Sequence, residues 1–196
     1  MKSALWEGLP LSSIHIGGVY ASSRPSVVRT VLGSCVAVCL RDPVSHVGGM
    51  NHFMLPTGGA NEAASARYGI HAMELLINAC MREGADRRQL EAKVFGGGHV
   101  LRIRECDGNV PQSNIQFALR FLETERIPIV SRDLGGYEPR EVYFFTETGR
   151  VLLKRIKPSL SHAKEDLVAL ERAERASLSK PAPVPAPDDD SNITLF

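Results

Sequence analysis

Three residues of this chain have the types and spacing to do covalent chemistry: Thr30, Cys35 and His52. Cys35 stands directly after Gly33-Ser34, where an apolar, β-branched run (Val27, Val28, Val31, Leu32) stops. Gly33 supplies the backbone freedom for a sharp turn. A cysteine just past such a turn has backbone N–H groups beside it, and these suit a developing oxyanion. An imidazole brought alongside favours the thiolate, the form that attacks. His52 is the imidazole that an adjacent strand would deliver. A hydroxyl such as Thr30 would hold that ring in one tautomer, the part a carboxylate or amide takes in other triads. The chemistry in view is acyl transfer through a thiol, with Gly33 and Ser34 as the turn and oxyanion positions. The residues alone leave plainer readings open. A free cysteine commonly fills a core as a small apolar group. His52 serves equally well as a hydrogen-bonded core residue, and Thr30 as an ordinary strand residue.

The elements that must position these groups read as strands. Val36 to Leu40 is a second apolar run ending at an Asp42-Pro43 turn, and Val47 to Leu55 is a third, with His52 in its middle. Strand, tight turn, strand, turn, strand is the local pattern. Residues 13–21 alternate as a first strand, with Gly17-Gly18 marking a bulge or a close backbone approach. After His52, residues 56–65 form a small, polar loop, read either as a border of the site or as a plain connector. Residues 66–83 predict the clearest helix. Ile70, Met73, Leu76, Ile77, Cys80 and Met81 make its apolar face, Met73 and Met81 fill core space, His71 faces outward, and Gly84 ends it.

Residues 87–92 read as a short basic helix or turn. Residues 93–95 read as a strand running into Gly96-Gly97-Gly98-His99. This glycine run lacks the Gly-Lys-Ser/Thr ending of a nucleotide loop. It reads better as a turn that lets backbone pack close to the site, with Gly96, Gly97 and His99 as substrate-side candidates. Residues 102–112 read as a loop. Ser113 with Gln116 resembles a capping box opening a helix over 114–126, with Ile115, Ala118, Leu119 and Leu122 on its apolar face. Strands follow at 127–132, 140–146 and 151–156, the last two joined by a Thr148-Gly149 hairpin turn. The count is about eight strands against two long helices, which predicts an α/β sandwich with helices on one side of mixed sheets.

The 196 residues suffice for one domain with a proper core and some extra length. With 23 basic and 22 acidic residues, the chain carries no electrostatic footprint for nucleic acid or an anionic membrane. No apolar run approaches bilayer length. The first residues, MKSALWEGLPLSS, lack the pattern of a secretion signal, so a cytoplasmic location is expected. A disulfide framework is then not expected of Cys35, Cys39, Cys80 and Cys106. Cys39 and Cys80 read as core residues, and Cys106 sits in the polar loop. Cys35, Cys39, His46 and His52 have the right types for zinc. Their spacing differs from paired-knuckle patterns, however, and an apolar strand runs between the cysteines, so no metal is assigned. No apolar repeat for self-association is visible, and a monomer is expected.

The stretch Thr30-x-Leu-Gly-Ser-Cys35, followed by Gly48-Gly49-Met-Asn-His52-x-Met-Leu-Pro56, resembles the signature of the CheD family. The likeness continues in order through Arg67-Tyr68-Gly69 and Ala72-Met73, then Ala92-Lys93-Val94-Phe95-Gly96-Gly97 and Asn114. It ends with Asp133-Leu134-Gly135-Gly136 and Arg140. One departure is Val110-Pro111-Gln112, where relatives carry an apolar-Gly pair. The resemblance implies a layered α/β/β arrangement and a catalytic set of Cys35, His52 and Thr30. It implies a protein-glutamine deamidase acting on methyl-accepting chemoreceptors of bacterial chemotaxis through a cysteine thioester, with receptor methylesterase activity beside it and no cofactor. The alternative reading is a non-catalytic adaptor that binds receptors or a CheC-type phosphatase. The expected organisation is a CheD-like catalytic domain over 1–158 and a C-terminal helix over 159–178. A proline-rich linker with an acidic, apolar-tipped tail would occupy 179–196.

Overall fold

The computed structural model describes residues 8–55, 62–100 and 110–156, with backbone alone at 62–65. The expected C-terminal helix, linker and tail lie outside these residues, as does Cys106. In chain order the described elements are β1 (Leu11–Ser13), β2 (Val19–Ser22), β3 (Val27–Leu32), β4 (Val36–Arg41) and β5 (Gly48–Asn51). After these come α1 (Glu62–Arg82), β6 (Glu91–Gly96), α2 (Val110–Thr124), β7 (Ile129–Leu134), β8 (Arg140–Phe145) and β9 (Val151–Arg155). They form a four-stranded sheet, β1-β3-β8-β9, and a five-stranded sheet, β2-β5-β4-β6-β7. Both sheets are mixed. β1 runs parallel to β3 and β7 parallel to β6, while the other pairs are antiparallel.

Three layers result, α on β on β, as expected. β4 shows why. Its first five positions, Val36 to Leu40, are all apolar and buried because both faces are covered. Val36, Val38 and Leu40 point to the helices and share a core with Met73, Leu76, Ile77, Ala118 and Leu122. Ala37 and Cys39 point the other way, continuing the side taken by Cys35, and meet Val28, Leu32, Val142 and Phe144 of the smaller sheet. Each fully buried aliphatic side chain in these layers contributes roughly 1.5–3 kcal/mol.

Several elements differ from the sequence expectation, each for a local reason. Residues 13–21 are not one strand. Gly17, at φ 81°, turns the chain, so β1 and β2 end up in different sheets. β5 stops at Asn51, and His52 lies just beyond it rather than within a strand. Helix α1 begins at Glu62, four residues inside the expected loop. It buries Met73, Leu76, Ile77 and Cys80, but Ile70 and Met81 lie at its margin, each 44% exposed. Met81 is therefore not core filler. Helix α2 begins by Val110, so the Ser113–Gln116 capping box does not exist. Pro111 fits a first helical turn, where its missing N–H costs nothing, and Val110 is buried as an anchor. β7 starts two residues later than expected, after Pro128.

Candidate active site

The register of the larger sheet places the candidate nucleophile beside the candidate base. β4 and β5 pair Cys39 with Met50 and Leu40 with Gly49, and the same register returns at an isolated bridge between Val36 and Phe53. Extended one step, Cys35 stands opposite Met54, and its Sγ lies 3.8 Å from the Met54 sulfur. His52 is then the diagonal neighbour of Cys35 on the same face, the cross-strand position that long or aromatic side chains reach. The residue opposite His52 is Ala37, whose small side chain leaves room for the ring. Cys35 and His52 both turn into the layer between the sheets, where they are 2% and 3% exposed.

Thr30 enters the same layer from β3 of the other sheet. Its Oγ1 lies 2.9 Å from the Ile14 carbonyl oxygen and 2.8 Å from His52 Nδ1. The carbonyl only accepts, so the hydroxyl proton goes to it. Thr30 Oγ1 therefore accepts from His52, and the ring proton is assigned to Nδ1 by this network. The lone pair is left on Nε2, which is buried and has no hydrogen-bond partner among the described residues. Leaving a buried acceptor unmade costs stability, and such exceptions call for a functional account. Burial, and after it the charge of His15, push the His52 pKa down to about 3. The ring is thus neutral at ordinary pH and offers a free base at Nε2. Backbone bonds clamp it from both sides: Gly17 N donates to the His52 carbonyl at 2.7 Å, and His52 N donates to the Gly18 carbonyl at 3.1 Å.

The turn before Cys35 is held by its carbonyls. Gly33 O accepts from Gly98 N at 2.7 Å, and Cys35 O accepts from Gly97 N at 2.7 Å. Ser34 O accepts from Asn114 Nδ2 at 2.9 Å. In trans peptides each carbonyl points opposite to the N–H of the next residue, and the described chain contains no cis bond. Drawing the Gly33 and Ser34 carbonyls toward Gly98 and Asn114 therefore turns the N–H groups of Ser34 and Cys35 to the opposite side.

Gly96 and Gly97 form the wall behind this turn. Gly96 has φ 115°, and a Cβ there would stand 2.1 Å from the Cys35 carbonyl oxygen. A Cβ on Gly97 would stand 2.4 Å from Ile115 Cγ1. Both positions support the backbone of the turn. His99 is exposed. It bonds through its backbone N–H to Gly136 O and lies beside the Tyr137 ring at 6.1 Å, at the surface.

Two residues matter here that residue-type reasoning did not single out for the site. Asn114, wholly buried, joins both halves: its Oδ1 accepts from Leu55 N at 2.8 Å while its Nδ2 reaches Ser34 O. The available signal was an amide on the buried side of a helix. Arg140, also wholly buried, donates to the Asp133 carbonyl at 2.7 Å, to the Asp133 carboxylate and to Gly135 O. It thereby fastens the 135–136 loop, whose Gly136 O receives His99. Cys39 and Cys80 are buried thiols, each pushed up by desolvation, Cys80 to about 12. His46 bonds Arg41 instead of approaching Cys35. Among the described residues no group of three or more His, Cys, Asp or Glu side chains is placed to hold a metal ion.

A family model described as CheD chemotactic sensory transduction matches residues 54–155. A Stenotrophomonas maltophilia (strain K279a) protein named "Probable chemoreceptor glutamine deamidase CheD" is 51% identical over 160 residues, covering 81% of this chain and 78% of that one. A protein of the same name from Thiobacillus denitrificans is 54% identical over 145 residues, 72% of this chain and 71% of its own. One from Xanthomonas campestris pv. campestris (strain B100) is 51% identical over 160 residues, with 81% and 78% covered. Among solved structures, the Bacillus licheniformis hypothetical protein YfiH is similar over 60% of this chain and 49% of its own, with 16% identity and a TM-score of 0.39. On the family model and these relatives together, the chain belongs to the CheD family.

Proposed function

We propose that this protein is a chemoreceptor glutamine deamidase, hydrolysing the side-chain carboxamide of receptor glutamines to glutamate through Cys35. The observation that carries the reading is the Thr30–His52 hydrogen bond, which leaves His52 Nε2 as an unprotonated acceptor in the layer that also holds the Cys35 thiol. The names of relatives at 51–54% identity supply the substrate class.

The steps follow from the residues. His52 Nε2 takes the Cys35 proton, and Sγ adds to the carboxamide carbon. The oxygen, now negative, is received by the N–H groups of Ser34 and Cys35. His52-H⁺ gives its proton to nitrogen as the C–N bond breaks, releasing ammonia and leaving a thioester. Water attacks the thioester carbon while Nε2 takes its proton, and that proton returns to sulfur as the C–S bond breaks. Glutamate and the free thiol remain. The Thr30 hydroxyl is neutral, so it orients the ring without charge stabilisation. The thiolate–imidazolium pair therefore forms during the reaction, and His52 rests neutral. The same thioester route serves methyl glutamates, with methanol leaving.

The proposal places the enzyme in the cytoplasm as a monomer, with a CheC-type phosphatase as a further partner; sedimentation alone and with the phosphatase tests both associations. No helix among the described residues is long and apolar enough to cross a membrane. The deciding experiment is peptide mass spectrometry of a co-expressed chemoreceptor cytoplasmic fragment, with wild type and with Cys35→Ala. Glutamine-to-glutamate conversion by the wild type alone supports the proposal. Conversion retained by Cys35→Ala, or none by the wild type while binding persists, overturns it in favour of another nucleophile or an adaptor.

A further inference from the structure

Tyr68 lies on the second turn of α1, and the mechanism above does not use it. The next residue, Gly69, fixes how the helix sits: a Cβ there would come within 2.5 Å of the Phe117 ring and 2.8 Å of Leu55 Cδ2. Packed this closely, the helix carries a half-buried Tyr68 side chain. Its hydroxyl stands 3.9 Å from where a Cβ on Gly17 would lie. Gly17 is the residue whose N–H holds the His52 carbonyl at 2.7 Å. The phenol oxygen thus hangs over the clamp that fixes the base. It also lies within the electrostatic reach of the thiol, because burial and then the charge of Cys35 hold the phenol above its ordinary pKa.

A phenol in this position stays protonated throughout the pH range in which His52 is a base. A neutral O–H is a far better partner for an oxygen gaining negative charge than for the departing nitrogen, since charge-assisted bonds are about twice as strong as neutral ones. We propose that Tyr68 is a further catalytic residue, donating its phenol hydrogen to the carboxamide oxygen of the substrate as Cys35 adds, from the side of the site opened by the Gly17 turn. The inference rests on the deamidase reading above.

The test is Tyr68→Phe, which removes one oxygen and keeps the ring packed. Deamidation kinetics are measured on the receptor fragment, and the rate of Cys35 alkylation by iodoacetamide is measured in parallel. The expected result is a fall in kcat of about 10- to 100-fold, toward the cost of losing one oxyanion donor. KM should stay within about threefold and alkylation within about twofold, because thiol and base are untouched. Unchanged kcat with an active wild type overturns the inference and leaves the deamidase reading intact. Alkylation that falls in step with kcat also overturns it, since Tyr68 would then act on the thiol itself. A wild type that yields no glutamate removes the deamidase reading and this inference with it.

Discussion

Replacing Thr30 with valine tests the central geometric argument, because the two side chains are nearly isosteric and only the hydroxyl is lost. That hydroxyl serves two buried groups, the Ile14 carbonyl at 2.9 Å and His52 Nδ1 at 2.8 Å. Each orphaned buried group costs about 1–3 kcal/mol. A methyl in place of the hydroxyl recovers roughly 1 kcal/mol of transfer free energy. The net expectation is a loss of about 1–5 kcal/mol, a large share of the usual stability of a domain. The catalytic effect is separate. Without an acceptor at Nδ1 the ring proton moves between nitrogens, and the Nε2–H tautomer cannot take the Cys35 proton. A wrong tautomer costs up to about 10⁴ in kcat where a carboxylate holds the ring; a neutral hydroxyl should account for about 10- to 1000-fold. Thr30→Ser keeps the oxygen and loses one methyl, so it should lose about 1 kcal/mol and keep most of kcat. Urea unfolding gives the first quantity and receptor-fragment deamidation the second, while ¹⁵N shifts of His52 report the tautomer. A Thr30→Val enzyme turning over as fast as Thr30→Ser, with Nδ1 still protonated, would refute the reasoning.

The His52 pKa of about 3 lies below the unfolded value of about 6.5, so the unfolded chain binds the extra proton between the two. Stability contributed by the neutral ring is full above about pH 6.5 and falls as pH drops toward 3, by about 1.4 kcal/mol per unit within the window. His52→Gln should flatten that slope in urea titrations at pH 4.5 and 6.5. Asp42, Glu83 and Asp86, whose pKa values are lowered, act in both proteins alike and mainly below about pH 4. Asn114→Asp keeps an acceptor for Leu55 N but sets a carboxylate against the Ser34 carbonyl. It should cost about 2–4 kcal/mol at neutral pH. Burial raises that carboxyl's folded pKa, so the cost should shrink as pH falls and the acid becomes a donor; thermal melts at two pH values check the direction. Gly96→Ala combines φ 115° with a Cβ 2.1 Å from the Cys35 carbonyl. Backbone strain alone is worth about 1–3 kcal/mol. The displaced turn should lower kcat more than a stability loss explains, which assays well below the melting temperature would show.

The residue types at Cys35, Gly33 and His52 announce a thiol, a sharp turn and a base, because turn chemistry and nucleophile chemistry are local properties. An α/β sandwich of mixed sheets was legible for a related reason. β4 is apolar from Val36 to Leu40, as a strand covered on both faces must be, and α1 and α2 carry helical periodicity. Element ends were less legible. The chain reverses at Gly17 because of one positive φ, and α2 starts at Val110 because an anchor there is buried. What only the tertiary structure decided is the direction of each polar bond. Thr30 stands on one sheet and His52 just past a strand of the other, and nothing in either local sequence says that a hydroxyl will meet Nδ1 and leave Nε2 bare. Asn114 reaches the turn before Cys35 from a helix, through Ser34 O. Local sequence sets which groups the chain carries; only packing three layers together sets which nitrogen of His52 meets a hydroxyl and which is left bare, because that depends on contacts between residues far apart in the chain.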